Sequence, residues 1–221
     1  MTPVLSAVYD ELLARATVPP FQIRAERLRR AFFGRTGEVT EDTPTFAVRL
    51  AAAWEDVLVG RDADGGCLAA TLGETLEDEA ERDIAHLLGR GQRGLFELHA
   101  EGEHRFLEDH LGGGSFLLLR GDPLGLTAGA RDDDRAFIIG RVVGAYDGCT
   151  LLPGPVWLPT AATPLVPELL AEARCRELEH DAILDALLRM DHALATLSRV
   201  KAAFAFRVQS LPRRENTPEP C

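Results

Sequence analysis

Lysine is almost absent from this chain: Lys201 is the only one, and all other basic residues except histidine are arginines. The formal net charge is -11 over 221 residues. Affinity for nucleic acid or for an anionic membrane depends on a positive surface field, which so acidic a chain does not provide. We therefore expect neither nucleic acid nor a membrane among its partners.

Cysteine is also scarce, and its four copies lie far apart in the chain at Cys67, Cys149, Cys175 and Cys221. No two of them form a CxxC pair, which argues against both a disulfide framework and a structural zinc knuckle. No apolar run approaches the length that a bilayer-spanning helix needs. These features together favour a reduced, cytoplasmic protein.

Motifs typical of catalysis are missing as well. The glycine run Gly112-Gly113-Gly114 resembles a phosphate loop only in its glycines, because no lysine follows and the next segment has strand character. Ser115 lacks the G-x-S-x-G context of a hydrolase nucleophile. The sequence gives no catalytic residue, which favours a non-catalytic protein.

The pattern of helix and strand signals predicts an α+β fold. Thr-Pro pairs that start helices at Thr2, Thr43 and Thr163 are followed by apolar residues at helical spacing. Short apolar strands separated by turns fill the middle of the chain. We expect an N-terminal helical region over 1–92, a β module over 93–160, a C-terminal helical segment over 161–210, and a flexible tail over 211–221.

The central module has five or six short strands without helical crossovers, which predicts a small antiparallel barrel of SH3-like size. Its first hairpin is expected to turn at Glu101-Gly102. With that turn, His99 lies opposite His104, and Glu97 lies on the same face. Imidazole and carboxylate groups at this spacing could hold a divalent metal, although a solvent-exposed polar face has the same pattern.

The C-terminal segment carries apolar residues at alternating spacings of four and three, as in a heptad pattern. We name this set the C-terminal stripe: Ile183, Leu187, Met190, Leu194, Leu197 and Phe204. It predicts a long helix or a helix pair, with a bend or break near Arg176 and His180, where the stripe becomes polar. The stripe could pack against the N-terminal helices of its own chain or against another chain.

The second helix is rich in arginine, with Arg27 and Arg30 among five arginines between residues 21 and 37. Such a helix can pair with the acidic surface of its own chain, or it can dock an acidic protein partner. We list Arg27 and Arg30 as candidate interaction residues.

Several short segments resemble a group of uncharacterised bacterial proteins. They are Arg35-Thr36-Gly37, the helix Phe46–Trp54, the segment Arg93–Glu97, and Leu111-Gly112-Gly113. The resemblance covers residues 30–160 and implies a helical lead-in followed by a small β domain. It implies no activity and no catalytic residues.

The sequence thus favours a cytoplasmic, adaptor-like interaction or regulatory protein that uses the C-terminal stripe to form a homodimer or to bind a protein partner. No cofactor is expected for that function. One alternative is a metal-dependent enzyme with a divalent metal at His99, His104 and Glu97. The other is a barrel that binds a small ligand.

Overall fold

The computed structural model describes residues 3–62, 65–119, 137–145, 148–197 and 200–213, and it has an α+β fold. The α-helices are α1 Pro3–Ala16, α2 Gln22–Thr36, α3 Phe46–Val59, α4 Leu68–Gly73, α5 Glu79–Leu88, α6 Val166–Cys175, α7 His180–Thr196 and α8 Ala202–Ala205. The strands are β1 Gln92–Glu101, β2 His104–Asp109, β3 Ser115–Leu117, β4 Phe137–Ala145, β5 Gly148–Leu151 and β6 Val156–Trp157. Short 3-10 helices cover Thr160–Leu165 and Val208–Ser210. None of these described helices is long and apolar enough to cross a membrane.

The strands form an antiparallel sheet in the order β3-β2-β1-β4-β5, and β6 pairs with β4. The sheet curls until its two edges approach each other. Leu118 and Cys149 form an isolated bridge, and the Leu119 N–H donates to the Cys149 carbonyl at 2.9 Å. The antiparallel module is therefore confirmed, but as a partial barrel and not as the closed small barrel that the short strands and tight turns predict.

Alternate residues of the sheet enter two different cores. Phe96 and Ile138 belong to a cluster drawn from the strands and their flanks, inside the curl of the sheet. Their neighbours Leu95, Phe137 and Ile139 point the other way and pack with residues of the C-terminal helices. This period-2 alternation places the helices against the outer face of the sheet.

Buried ion pairs tie the helices to that face. Asp185 on α7 accepts hydrogen bonds from Arg35 at 2.8 Å and from Arg93 at 2.9 Å. Asp56 on α3 accepts from Arg35 at 2.9 Å and from Arg141 at 3.1 Å. Because each aspartate is shared by two arginines, the network joins α2, α3, α7, β1 and β4. The guanidinium groups of these arginines bind carboxylates of the same chain, so the network stabilises the fold.

The C-terminal segment is divided into three separate helices instead of one long helix. Helix α6 ends at Cys175, and Glu177 has a φ of 51°, a left-handed conformation that stops helix propagation. Helix α7 then begins at His180, so the break falls between the two polar positions where the sequence interrupts the C-terminal stripe. With 17 residues, α7 is about 26 Å long.

Most of the C-terminal stripe is enclosed by the chain itself. Ile183, Leu187 and Met190 are at most 2% exposed and belong to the same core as Leu95. The partly buried Leu194 packs against that core. Only Leu197, 56% exposed, and Phe204, 67% exposed, present large apolar side chains to solvent. Three of the six residues of the C-terminal stripe are thus buried and unavailable to another chain in this structure. The tail beyond residue 213 lies outside the described residues.

Candidate metal centre

The first hairpin has a two-residue turn at Gly102-Glu103, because Glu101 pairs with His104. Gly102 has a φ of 59°, which a glycine at the first turn position tolerates. The expected turn lay one residue earlier, so every cross-strand pair differs from the expected one by two residues. His99 lies opposite Phe106, and His104 lies opposite Glu101. Since the shift is an even number, both histidines stay on the predicted face.

In the observed register Phe106 takes the position opposite His99 that was expected for His104, and the cluster gains Glu108, which the sequence reasoning missed. Glu108 pairs directly with Glu97, and the His99 side chain lies on the same face. The His99 Nε2 atom is 3.1 Å from Glu108 Oε2 and 4.0 Å from Glu97 Oε2. One ligand atom from each of these three residues lies within 4.8 Å of the other two.

These separations are near those of a coordination sphere. Ligand atoms held about 2.0–2.2 Å from one ion are roughly 3–3.5 Å from each other. The 3.1 Å separation of His99 and Glu108 already lies in that range, and rotation of the exposed His99 side chain can shorten its 4.0 Å separation from Glu97. An imidazole with two carboxylates suits Zn²⁺, Mn²⁺ or Fe²⁺, whereas softer metals prefer thiolates.

A second histidine, His110, holds the buried carboxylate in place. Its Nε2 atom lies 2.9 Å from Glu97 Oε2, within hydrogen-bond distance. The ring meets the edge of Phe137 with centroids 5.0 Å apart. The His110 backbone is fixed too, because its N–H donates to Leu95 O and its carbonyl accepts from Arg174 on α6, both at 2.9 Å. Partners of this kind orient metal-binding side chains.

The cluster lies where the helical cover of the sheet ends. Along β1, Leu95 is fully buried, Glu97 is 5% exposed, and the His99 side chain is 45% exposed. A groove of about 610 Å³ opens beside it, lined by His99, Glu108, Phe106, Ser115 and residues of the glycine turn. A ligand bound to the cluster would therefore have one buried anchor and an open side that a solvent molecule or substrate can reach.

The remaining predicted residues lie elsewhere. His104 is exposed at the hairpin turn, and its ring centroid is 6.4 Å from that of Phe106, outside the three-residue cluster. Arg27 and Arg30 are exposed on α2. The glycine run beside the groove forms the turn between β2 and β3, and Gly113, with a φ of 73°, needs the freedom of glycine.

A strongly perturbed carboxyl group, that of Glu55, is separate from this cluster. Burial raises the pKa of Glu55 to about 7, although the charge of Arg141 and a hydrogen bond from the Gly154 N–H oppose that shift. The Gly154 bond is 3.0 Å long, and Arg141 Nε lies 3.7 Å from the other carboxylate oxygen. Glu55 is 5% exposed, so this group acts on stability and does not face an open groove.

Glu108 could have been found as one of two alternatives in the sequence. A two-residue turn of the I′ type takes glycine second, as in Glu101-Gly102, and one of the II′ type takes glycine first, as in Gly102-Glu103. The second choice places Glu108 opposite Glu97. His110 follows the strand in a loop, and no periodicity predicts its contact with Glu97.

In a comparison with known proteins, no protein-family model, no curated protein and no solved structure matches the chain.

Proposed function

We propose that this protein binds a divalent metal ion through Glu97, His99 and Glu108. The observation that carries the proposal is the cross-strand pair of Glu97 and Glu108, with the His99 imidazole beside both carboxylates. Like charges directly opposite each other on neighbouring strands destabilise a sheet, and a bound cation converts that cost into binding energy. The hydrogen bond from His110 holds the buried ligand Glu97 in place.

Three protein ligands leave at least one coordination position of a divalent ion open, which is the arrangement of catalytic metal sites. The open groove borders two of the three ligands, His99 and Glu108. A metal bound there supplies a Lewis acid and an activated water molecule. We therefore propose a metal-dependent enzyme of hydrolytic type, with Glu97, His99 and Glu108 as ligands and His110 as the residue that positions Glu97.

This proposal takes precedence over the adaptor function because Ile183, Leu187 and Met190 are buried in the core of the chain. An adaptor that uses the C-terminal stripe would have only Leu197 and Phe204 to offer.

Elemental analysis of tag-free protein, followed by titration of chelator-treated protein with Zn²⁺ and with Mn²⁺, tests the proposal. We expect about one ion per chain, and we expect His99→Ala to remove it. His104→Ala is the matched control, because it removes an exposed histidine from the same hairpin and should leave binding unchanged. Absence of stoichiometric binding in the parent protein, or equal loss in both variants, would refute a site at these residues.

A further inference from the structure

The arginines of α2 fall into two groups, according to what their side chains contact. Arg24 forms a salt bridge with Asp62, Arg29 lies 5.6 Å above the ring of Trp54, and Arg35 pairs with Asp56 and Asp185. These three bind the helix to its own chain. They satisfy the expectation that a basic helix pairs with the acidic body of its own protein.

The second group faces solvent. Ile23, Arg27 and Arg30 are spaced at i, i+4 and i+7, and so they share one side of α2, which we name the basic face. Ile23 is 81% exposed. The Arg30 side chain is 80% exposed and reaches only Glu26 of its own helix, at 3.6 Å. Arg27 has no acidic partner within 4.0 Å among the described residues. The basic face therefore has no acidic partner from another element among the described residues, in a chain with a net charge of -11.

Helix α5 presents the opposite charge. Glu79 and Asp83 are exposed, and because they lie four residues apart they share one side of α5. We name these two residues the acidic face. In the described part of the chain, neither of them forms a salt bridge, and no ion pair joins α2 to α5. Neither charged surface is thus neutralised by the other within one chain.

We propose that the basic face of α2 docks on the acidic face of α5 in a second copy of this chain. Two chains of charge -11 repel each other in most orientations, so an encounter is favoured where an arginine surface meets a carboxylate surface. If the contact is mutual, the dimer contains it twice, as two-fold symmetry requires. Exposed Ile23 supplies the apolar part that a purely ionic contact lacks. This proposal is independent of the metal site.

Charge reversal is the decisive test, because salt screens both the overall repulsion and the local attraction. Sedimentation velocity of the full chain, at concentrations from about 1 μM to about 100 μM, should show self-association of the parent. Arg27→Glu with Arg30→Glu should weaken that association at least tenfold, and Glu79→Arg with Asp83→Arg should do the same. Circular dichroism spectra of both double variants should match the parent.

The chain that combines all four substitutions should self-associate again, because the same charges meet with their signs exchanged. Glu41→Arg with Asp42→Arg is the control for net charge, since both residues are exposed acids outside α2 and α5, and it should not weaken the association. A parent that stays monomeric at all concentrations overturns the proposal. The proposal is also overturned if association persists in the Arg27→Glu, Arg30→Glu variant, or if the chain with all four substitutions remains monomeric.

Discussion

Glu97 and Glu108 lie directly opposite each other on adjacent antiparallel strands, and the His99 Nε2 atom is within 4.0 Å of a carboxylate oxygen of each. Glu97 is nearly buried, whereas Glu108 and His99 reach solvent. Like-charged cross-strand pairs reduce the stability of a sheet. Here each carboxylate has an imidazole beside it, His110 at 2.9 Å from Glu97 and His99 at 3.1 Å from Glu108. A cation bound between the two carboxylates would offset the remaining repulsion.

Loss of the His110 side chain should weaken metal binding without removing a ligand. The imidazole fixes Glu97 at 2.9 Å, and removal of such an orienting partner typically costs 10–100-fold in metal affinity, by order of magnitude. Isothermal titration with Zn²⁺ should show this loss for His110→Ala and a smaller loss for His110→Gln, which keeps a hydrogen-bond donor. His86→Ala is the control, because His86 pairs with Glu74 at 3.0 Å at a remote surface. Equal affinities for parent and His110→Ala would show that His110 does not position Glu97.

Glu55 should make the protein less stable as the pH rises. Its pKa is about 7 when folded and about 4.5 when exposed, so between these values the folded state holds a proton that the unfolded state has released. Stability from this group is therefore complete below about pH 4.5 and is lost as the pH rises toward 7. The loss amounts to at most about 3 kcal/mol.

Urea denaturation at pH 5 and at pH 8 measures this effect. The free energy of unfolding of Glu55→Gln, relative to the parent, should increase between the two pH values, because glutamine does not titrate. A difference between parent and variant that is the same at both pH values would mean that Glu55 titrates normally in the folded protein.

Shortening a side chain of the C-terminal stripe should lower the stability of the protein much more at a buried residue than at an exposed one. Leu187 is fully buried, so Leu187→Ala should lower the free energy of unfolding by about 2–5 kcal/mol. Leu197 is 56% exposed, and Leu197→Ala should change it by less than about 0.5 kcal/mol. Chemical denaturation of both variants makes the comparison. If Leu187→Ala kept full stability but dissociated an oligomer, the stripe would be an interface after all.

The sequence predicted the α+β fold because local rules apply to its elements. Helix α1 begins at Pro3, as proline after threonine indicates, and the glycine-punctuated middle of the chain forms the antiparallel sheet. The break before α7 was anticipated from the polar positions Arg176 and His180. The left-handed conformation of Glu177, which causes the break, could not be predicted, because no glycine or proline marks that residue.

The candidate site was less accessible from sequence. The polar face of the hairpin could be predicted from alternation, and Glu97 and His99 share that face in any register because they lie two residues apart on β1. Glu108 replaces the predicted ligand His104 in the cluster because the hairpin turn lies one residue later than expected. The burial of most of the C-terminal stripe depends on helices far away in the sequence, which periodicity alone cannot reveal.

Chemical denaturation of Glu108→Gln beside the parent, in chelator and in Zn²⁺, tests the metal site most directly. In chelator the variant should equal the parent or exceed its stability by about 0.2–1 kcal/mol, since one of the opposed charges is gone. At a zinc concentration near 100 times the parent's dissociation constant, the parent should gain about 2.7 kcal/mol and the variant much less, so that their order reverses. If zinc stabilised both proteins equally, or neither, Glu97, His99 and Glu108 would not form the metal site.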